Sequence, residues 1–300
     1  AEQLCSTIER GLALRDMIVS EEHRAVIGKI DSLPTQPEVY QKLLAVLEDE
    51  AAPVEAIAAV IIRDPALTAD ILKLVNSSFF GPRVQVRGLD QAVNLLGVET
   101  IKGLVLGVQM LRVFDTRKIP DFSFPLLWEH CLNTARISRR IAALEGLGGE
   151  EQDDAFIAGM LHDLGKFILA DKLTEQYRDI LDTTRRENAS LSTVETAALG
   201  MSHAQTGAYL LGLWGMSDRV LEAVAGHHDP SRLGGPGMSV LAAVHAANSL
   251  EHELVVINPG YDKHEADMEF LEQAGLAHRL DAWREAASRV LETGEAGGNR

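Results

Sequence analysis

Cysteine is scarce in this chain: Cys5 and Cys131 are the two thiols in 300 residues. They form neither a disulfide framework nor a metal-type pair, which fits a reducing compartment. Long apolar runs are missing too. Residues 56–62 and 103–108 are the longest candidates, well short of the ~18–20 residues that span a membrane. Positive charge is also in deficit, with 28 Lys and Arg against 44 Asp and Glu and a net charge of −16. A phosphate backbone is met by clustered Lys and Arg. The densest basic group here is Arg136, Arg139 and Arg140. Nucleic acid and anionic membranes are therefore not expected partners, and a cytoplasmic location is. The opening Ala1-Glu2-Gln3-Leu4 has no basic segment leading into an apolar one, so no secretory signal is expected there. It also lacks Met, so the chain is expected to start inside a longer polypeptide or behind a tag remnant.

Alternation with a period of two is absent as well. Residues 254–257 could make a short strand, but they have no evident mate and Asn258-Pro259-Gly260 stops them. What is present is helical periodicity. Ile101, Leu104, Val105 and Val108 follow the i, i+3, i+4, i+7 template of a helix with one broad apolar face. Leu67, Ile71, Leu74 and Val75 do the same after Asp64-Pro65, and Val220, Leu221 and Val224 before Gly226. With 46% hydrophobic and 24% charged residues, the composition is that of a globular chain. The expected fold is all-α.

Breakers divide it. Ile119-Pro120-Asp121 and Phe124-Pro125 suggest a boundary, giving an N-terminal helical bundle over 1–119 packed on a second bundle over 120–300. The loop Gly234-Gly235-Pro236-Gly237 reads as flexible, and the end from Gly294 as frayed.

Five of the ten histidines fall in a suggestive order: His130, His162 beside Asp163, His203, and His227-His228. A His-Asp dipeptide is weak by itself, and His228-Asp229 is a second one. Context adds weight. Residues 155–164 read as a buried helix closed by Gly165, the usual residue past a helix end. This places His162 and Asp163 in its last turn, beside a Lys166 free to reach solvent. Ser202 and Gln205 spell a capping box, which puts His203 in a first turn. His227 and His228 close a helix begun near Ser217-Asp218, and His130 lies in a helix over 126–144. An imidazole at a helix end commonly just meets the helix dipole. Several imidazoles with a carboxylate also suit Zn, Fe or Mn. Such ions lower the pKa of bound water and polarise phosphoryl oxygens. Asp163 has two oxygens with which to bridge two ions, and Lys166 could then meet a phosphate. His23, His245, His252, His264 and His278 carry no such expectation.

Two residue sets resemble a family. The first is Leu33-Pro34 with Pro37, then Asp64-Pro65-Ala66-Leu67, Asn76-Ser77 and Leu95-Leu96-Gly97. The second is Gly159 to Lys166 (Gly-Met-Leu-His-Asp-Leu-Gly-Lys), His203 with Gly207, and His227-His228-Asp229-Pro230. Over about residues 25–250 the chain resembles the HDOD family, all-helical relatives of HD and HD-GYP metal phosphohydrolases. The resemblance implies a bacterial signalling or regulatory domain with a protein partner. It also implies an HD-like centre for one or two divalent ions. His130, His162 and Asp163 match HD ligand positions, Lys166 the phosphate-contacting lysine, and His203, His227 and His228 the added histidines of the HD-GYP branch. Asp163 and Lys166 are then the candidate catalytic residues.

Two departures count against turnover. The last HD ligand is an aspartate, and the matching residue here is Asn248, a neutral and weaker ligand. The Gly-Tyr-Pro loop of the phosphodiesterase branch has only a loose echo at residues 234–237. Two divalent ions carry +4 and Asp163 alone offsets −1, so an anionic, phosphate-containing ligand is expected. The alternative is a working phosphohydrolase or phosphodiesterase acting on a phosphate ester or cyclic nucleotide.

Overall fold

A computed structural model describes residues 33–49, 51–77, 80, 85–114, 118–119, 122–255 and 264–295. Cys5 and His23 lie outside them. Among the described residues every regular element is helical. No single helix among them is long and apolar enough to cross a membrane. They fall into two compact units, Pro34–Phe114 with the residues from Ser288 on, and 118–287 with Leu33.

The first unit holds α1 (Glu38–Leu47), α2 (Val54–Ile62), α3 (Pro65–Val75), α4 (Leu89–Leu96) and α5 (Val98–Val113). Asp64 caps α3 by accepting from the Leu67 amide at 2.9 Å, with Pro65 in the first helical position, where its missing N–H costs nothing. At the far end Asn76 does more than stop the helix. Its amide donates to the Leu72 and Val86 carbonyls (2.8 and 2.7 Å) and accepts from the Val86 amide (2.8 Å). The returning chain is thus stapled to α3. Arg112 reaches back to Asp64 and Asp70 of the same unit. Of the expected apolar stripe on α3, Leu67, Ile71 and Val75 are buried and Leu74 is only partly so. The single apolar face expected for α5 is an underestimate: Thr100, Ile101 and the run from Gly103 to Val108 are all buried.

The second unit holds α6 (Phe124–Leu144), α7 (Gly149–Leu161), α8 (Leu164–Lys172), α9 (Thr174–Glu187), α10 (Leu191–Leu199), α11 (His203–Leu213), α12 (Asp218–Gly226), α13 (Val240–Leu254), α14 (Met268–Gln273) and the start of α15 (Leu280–Glu295), which from Ser288 on counts with the first unit. Pro125 starts α6 instead of breaking the chain, with Ser123 as its cap. Tyr177, Phe122, Phe124 and Phe167 meet in succession, edge-on or tilted, with ring centroids 5.2–5.8 Å apart. Near the end of the unit, Arg279 and the Trp283 indole both donate to Glu145 at the close of α6.

Three local expectations change. The helix over 155–164 breaks earlier, at His162-Asp163, and Gly165 sits inside α8. Gly165 is there for closeness, since a Cβ on it would collide with the His203 carbonyl of α11. Gly234 is likewise not simply flexible: a Cβ would press on the Phe270 ring and stand 2.8 Å from the Pro230 carbonyl oxygen. Leu254 is the last residue of α13. Residues 256–257 of the candidate strand, and the chain from 296 on, lie outside the described residues.

Candidate metal centre

Helix ends converge in the second unit. His162 is the C-cap of α7 and Asp163 the N-cap of α8, so one helix gives way to the next with no loop between. Ser202 and Gln205 form the expected capping box, which fixes His203 as the first residue of α11. His227 is the C-cap of α12, with His228 next. His130 projects from the middle of α6, and α13 supplies Asn248, Glu251 and His252.

Asp163 is fully buried at the centre, and its two oxygens face different neighbours. Oδ2 lies 3.6 Å from His130 Nε2, 3.5 Å from His162 Nε2 and 2.9 Å from Lys166 Nζ. Oδ1 lies 3.3 Å from His203 Nε2 and 3.7 Å from His227 Nε2. The six expected residues are therefore brought together. They make two groups able to hold an ion, His130 with His162 and Asp163, and Asp163 with His203, His227 and His228.

The far nitrogens decide what the near ones present. His162 Nδ1 meets the Gly159 carbonyl and His227 Nδ1 the Val224 carbonyl, both at 2.7 Å. His130 Nδ1 meets Glu251 at 2.5 Å and His203 Nδ1 meets Glu195 at 2.6 Å. These oxygens accept, so each Nδ1 carries a proton, and whenever the ring is neutral it turns a bare Nε2 inward. His130 and His162 Nε2 are 3.0 Å apart, and those of His203 and His228 2.9 Å. Facing lone pairs at that distance repel unless a cation lies between them. Ligand atoms ~2.1 Å from one ion and at right angles are ~3 Å apart. Neither Asp163 oxygen nor His227 Nε2 has a well-formed hydrogen bond, so the donors fit divalent ions.

A proton is the rival cation, and it does not serve every ring. Burial opposes charge on His130, but Glu251 outweighs it and raises the pKa. On His203 burial again opposes, and Glu195 pushes the pKa up to about 9. Burial takes His162 down to about 3, and burial with the adjoining imidazoles takes His227 and His228 well below the ordinary value. Burial opposes ionisation of Asp163, yet His162, Lys166 and His203 hold its carboxyl well below the usual range. The cluster is built around a carboxylate and several neutral imidazoles, which is what a metal requires.

A profile of the HDOD domain matches residues 33–230. The chain belongs to the HDOD family. An uncharacterized protein of Treponema pallidum (strain Nichols) is 26% identical over 208 residues, covering 68% of this chain and 39% of that protein. This HDOD chain thus spans well under half the length of that relative. A crystal structure of an HDOD domain protein of unknown function from Geobacter sulfurreducens superposes with a TM-score of 0.73 at 20% identity, covering 91% of this chain and 95% of that one. A protein provisionally named a phosphohydrolase from Shewanella amazonensis SB2B gives 0.66 at 21%, covering 90% and 98%. These likenesses are likenesses of fold.

Other residues at the centre carry no signal in the sequence. Glu195 and Glu251 are both fully buried. Glu195 also accepts from the His203 amide (2.7 Å) and the Tyr177 hydroxyl (2.8 Å), and Glu251 from Asn133 (3.2 Å). His252 forms a further group with His130 and Glu251. His264 reaches His228. His245, also without a sequence-based expectation, ties two backbone segments. A single Glu or His far along the chain from its partner gives no local signal. Lys166 is the clearest difference: it is buried and paired with Asp163, not free to reach solvent. Asn248 is buried with both amide atoms lacking a hydrogen-bond partner. It sits one turn before Glu251, on the helix face that reaches His130.

Proposed function

We propose that this chain is a signalling or regulatory HDOD domain whose buried centre holds one or two divalent ions, Fe, Mn or Zn, and takes an anionic, phosphate-containing ligand. The observation that carries this reading is the set of four imidazoles with Nδ1 tied outward and Nε2 turned toward Asp163. His130, His162 and one Asp163 oxygen would hold one ion, and His203, His227, His228 and the other oxygen a second. Ions bound there supply Lewis acidity toward phosphoryl oxygens.

The chain's own residues set the rest. Glu251 and Glu195 fix the orientation of His130 and His203, an arrangement that raises ligand basicity. Lys166 holds Asp163 ionised through a 2.9 Å ion pair. Charge favours an anion: Asp163, Glu195 and Glu251 supply three carboxylates and Lys166 one cation, so two divalent ions would leave an excess of positive charge. Asn248 argues against efficient turnover, because a neutral amide stands where the related hydrolases have a carboxylate. Weak or absent hydrolysis of phosphate esters and cyclic dinucleotides is the expected behaviour.

The test pairs metal analysis with an assay. Protein purified without chelator, or reloaded with Mn or Fe, should contain one to two ions per chain and bind inorganic phosphate only when loaded. A metal-free protein that also refuses added Mn, Fe and Zn would end this reading. Robust phosphodiesterase turnover abolished by Asp163→Ala would replace regulation with catalysis.

A further inference from the structure

We propose that His264 is a positioning residue of this centre, acting through His228, and that His245 clamps the segment that carries it. The inference rests on the metal-centre reading and concerns residues beyond the region matched by the family profile, 33–230.

Of the three imidazoles in the Oδ1 group, His203 and His227 set a carboxylate and a carbonyl against their outer nitrogens, whereas His228 sets another imidazole there. Its Nε2 faces His203 Nε2 at 2.9 Å, and its Nδ1 faces His264 Nδ1 at 3.1 Å. The two rings meet edge to face, with centroids 4.5 Å apart and planes at 85°. For Nε2 of His228 to offer a lone pair, the ring's proton must sit on Nδ1 and needs an acceptor there. His264 Nδ1 is that acceptor. It does for His228 what Glu195 does for His203 and the Val224 carbonyl for His227.

An orienting group must itself be held. His245 is fully buried. Its Nδ1 donates to the His227 carbonyl at 2.8 Å, and its Nε2 accepts from the Asp267 amide at 2.9 Å. One ring thereby ties the chain just after His264 to the turn that carries His227 and His228. Asp267 is fixed twice more: its side chain caps α14 at the Phe270 amide (2.9 Å) and accepts from Ser231 (3.2 Å). His264 is thus delivered by a segment pinned against α12 and α13. A merely space-filling ring would not need this register.

The experiment uses the full chain with Co2+ as the probe, read by stoichiometry, affinity and visible absorption. Wild type should take one or two ions, one of them in the Oδ1 group. In His264→Ala the ion of the Oδ1 group should bind about 10–100-fold more weakly, the usual effect of losing an orienting partner, with any second ion unchanged. His264→Gln keeps an acceptor and should restore most of the affinity and the absorption band. In a His228→Ala background, His264→Ala should have no further effect, which a general packing role would not produce. If thermal melting shows His264→Ala unfolded, His264→Leu, which fills the space without an acceptor, replaces it. Wild type that takes Co2+ with an unchanged His264→Ala overturns this inference alone. Equal weakening of both ions, or a full effect without His228, overturns it too. Wild type that takes no Co2+ overturns the centre and this inference together.

Discussion

On the Oδ2 side of Asp163 stand His130, His162 and Lys166, while His203 and His227, with His228 beside them, stand on the Oδ1 side. Both sides follow one plan. Each has a histidine at a helix C-cap that donates to the carbonyl three residues earlier, and a histidine backed by a buried glutamate. The difference lies in what completes them. The second side adds a third imidazole, and the first has the neutral Asn248 nearby on α13. Both sides hold a C-cap histidine and a glutamate-backed histidine by the same means, so unequal affinity would come from the donors that complete them. The Oδ1 side should be the tighter.

The sharpest way to break this comparison is to remove what the sides share. Asp163→Ala should release both ions, leaving near-zero metal by elemental analysis after dialysis. Next come single-side changes: His162→Ala and His227→Ala should each leave about one ion per chain, on opposite sides. Equal loss in both variants would mean one merged site. Asn248→Asp should then tighten the Oδ2 side by about tenfold or more, since an ionised oxygen replaces an amide; titration calorimetry would read it. The glutamates should also differ in what they contribute to stability. In metal-free protein Glu195→Ala should cost about 3–5 kcal/mol by denaturant unfolding, as for other broken buried pairs. Glu251→Ala should cost less, because Glu195 accepts three hydrogen bonds and Glu251 two.

The smallest effect belongs to a control remote from both sides. Burial is the largest single influence on Glu145 and raises its pKa, but Arg279 and Trp283 together outweigh it and lower the pKa. A carboxyl lowered on folding stabilises above its unfolded pKa of ~4.3, and that contribution is lost as pH falls through the folded value. Metal-free wild type should therefore lose an increment of Tm on acidification that Glu145→Gln lacks, while at neutral pH the two proteins bind metal equally.

The sequence disclosed the histidines and their helix-end positions because caps are local: Ser202 with Gln205, and Ser217 before α12, can be read within four residues. The all-α fold was legible for the same reason. The break at His162-Asp163 was not, since no Pro or Gly stands there and the nearest glycine serves packing against α11. Glu251 lies 121 residues from His130, and nothing near it separates it from the chain's many solvated acids. Lys166 was misjudged because lysine is almost never buried unless paired, and its partner's burial emerges only in three dimensions.

The joint between α7 and α8 has a mechanical consequence. Because His162 ends one helix and Asp163 begins the next, no slack separates the two rods. Asp163 is a joint as well as a candidate ligand. Gly165 lies so close to the His203 carbonyl that a Cβ would not fit between them, so α7, α8 and α11 meet at one point. Strain introduced at Asp163 would therefore be shared by three helix ends at once.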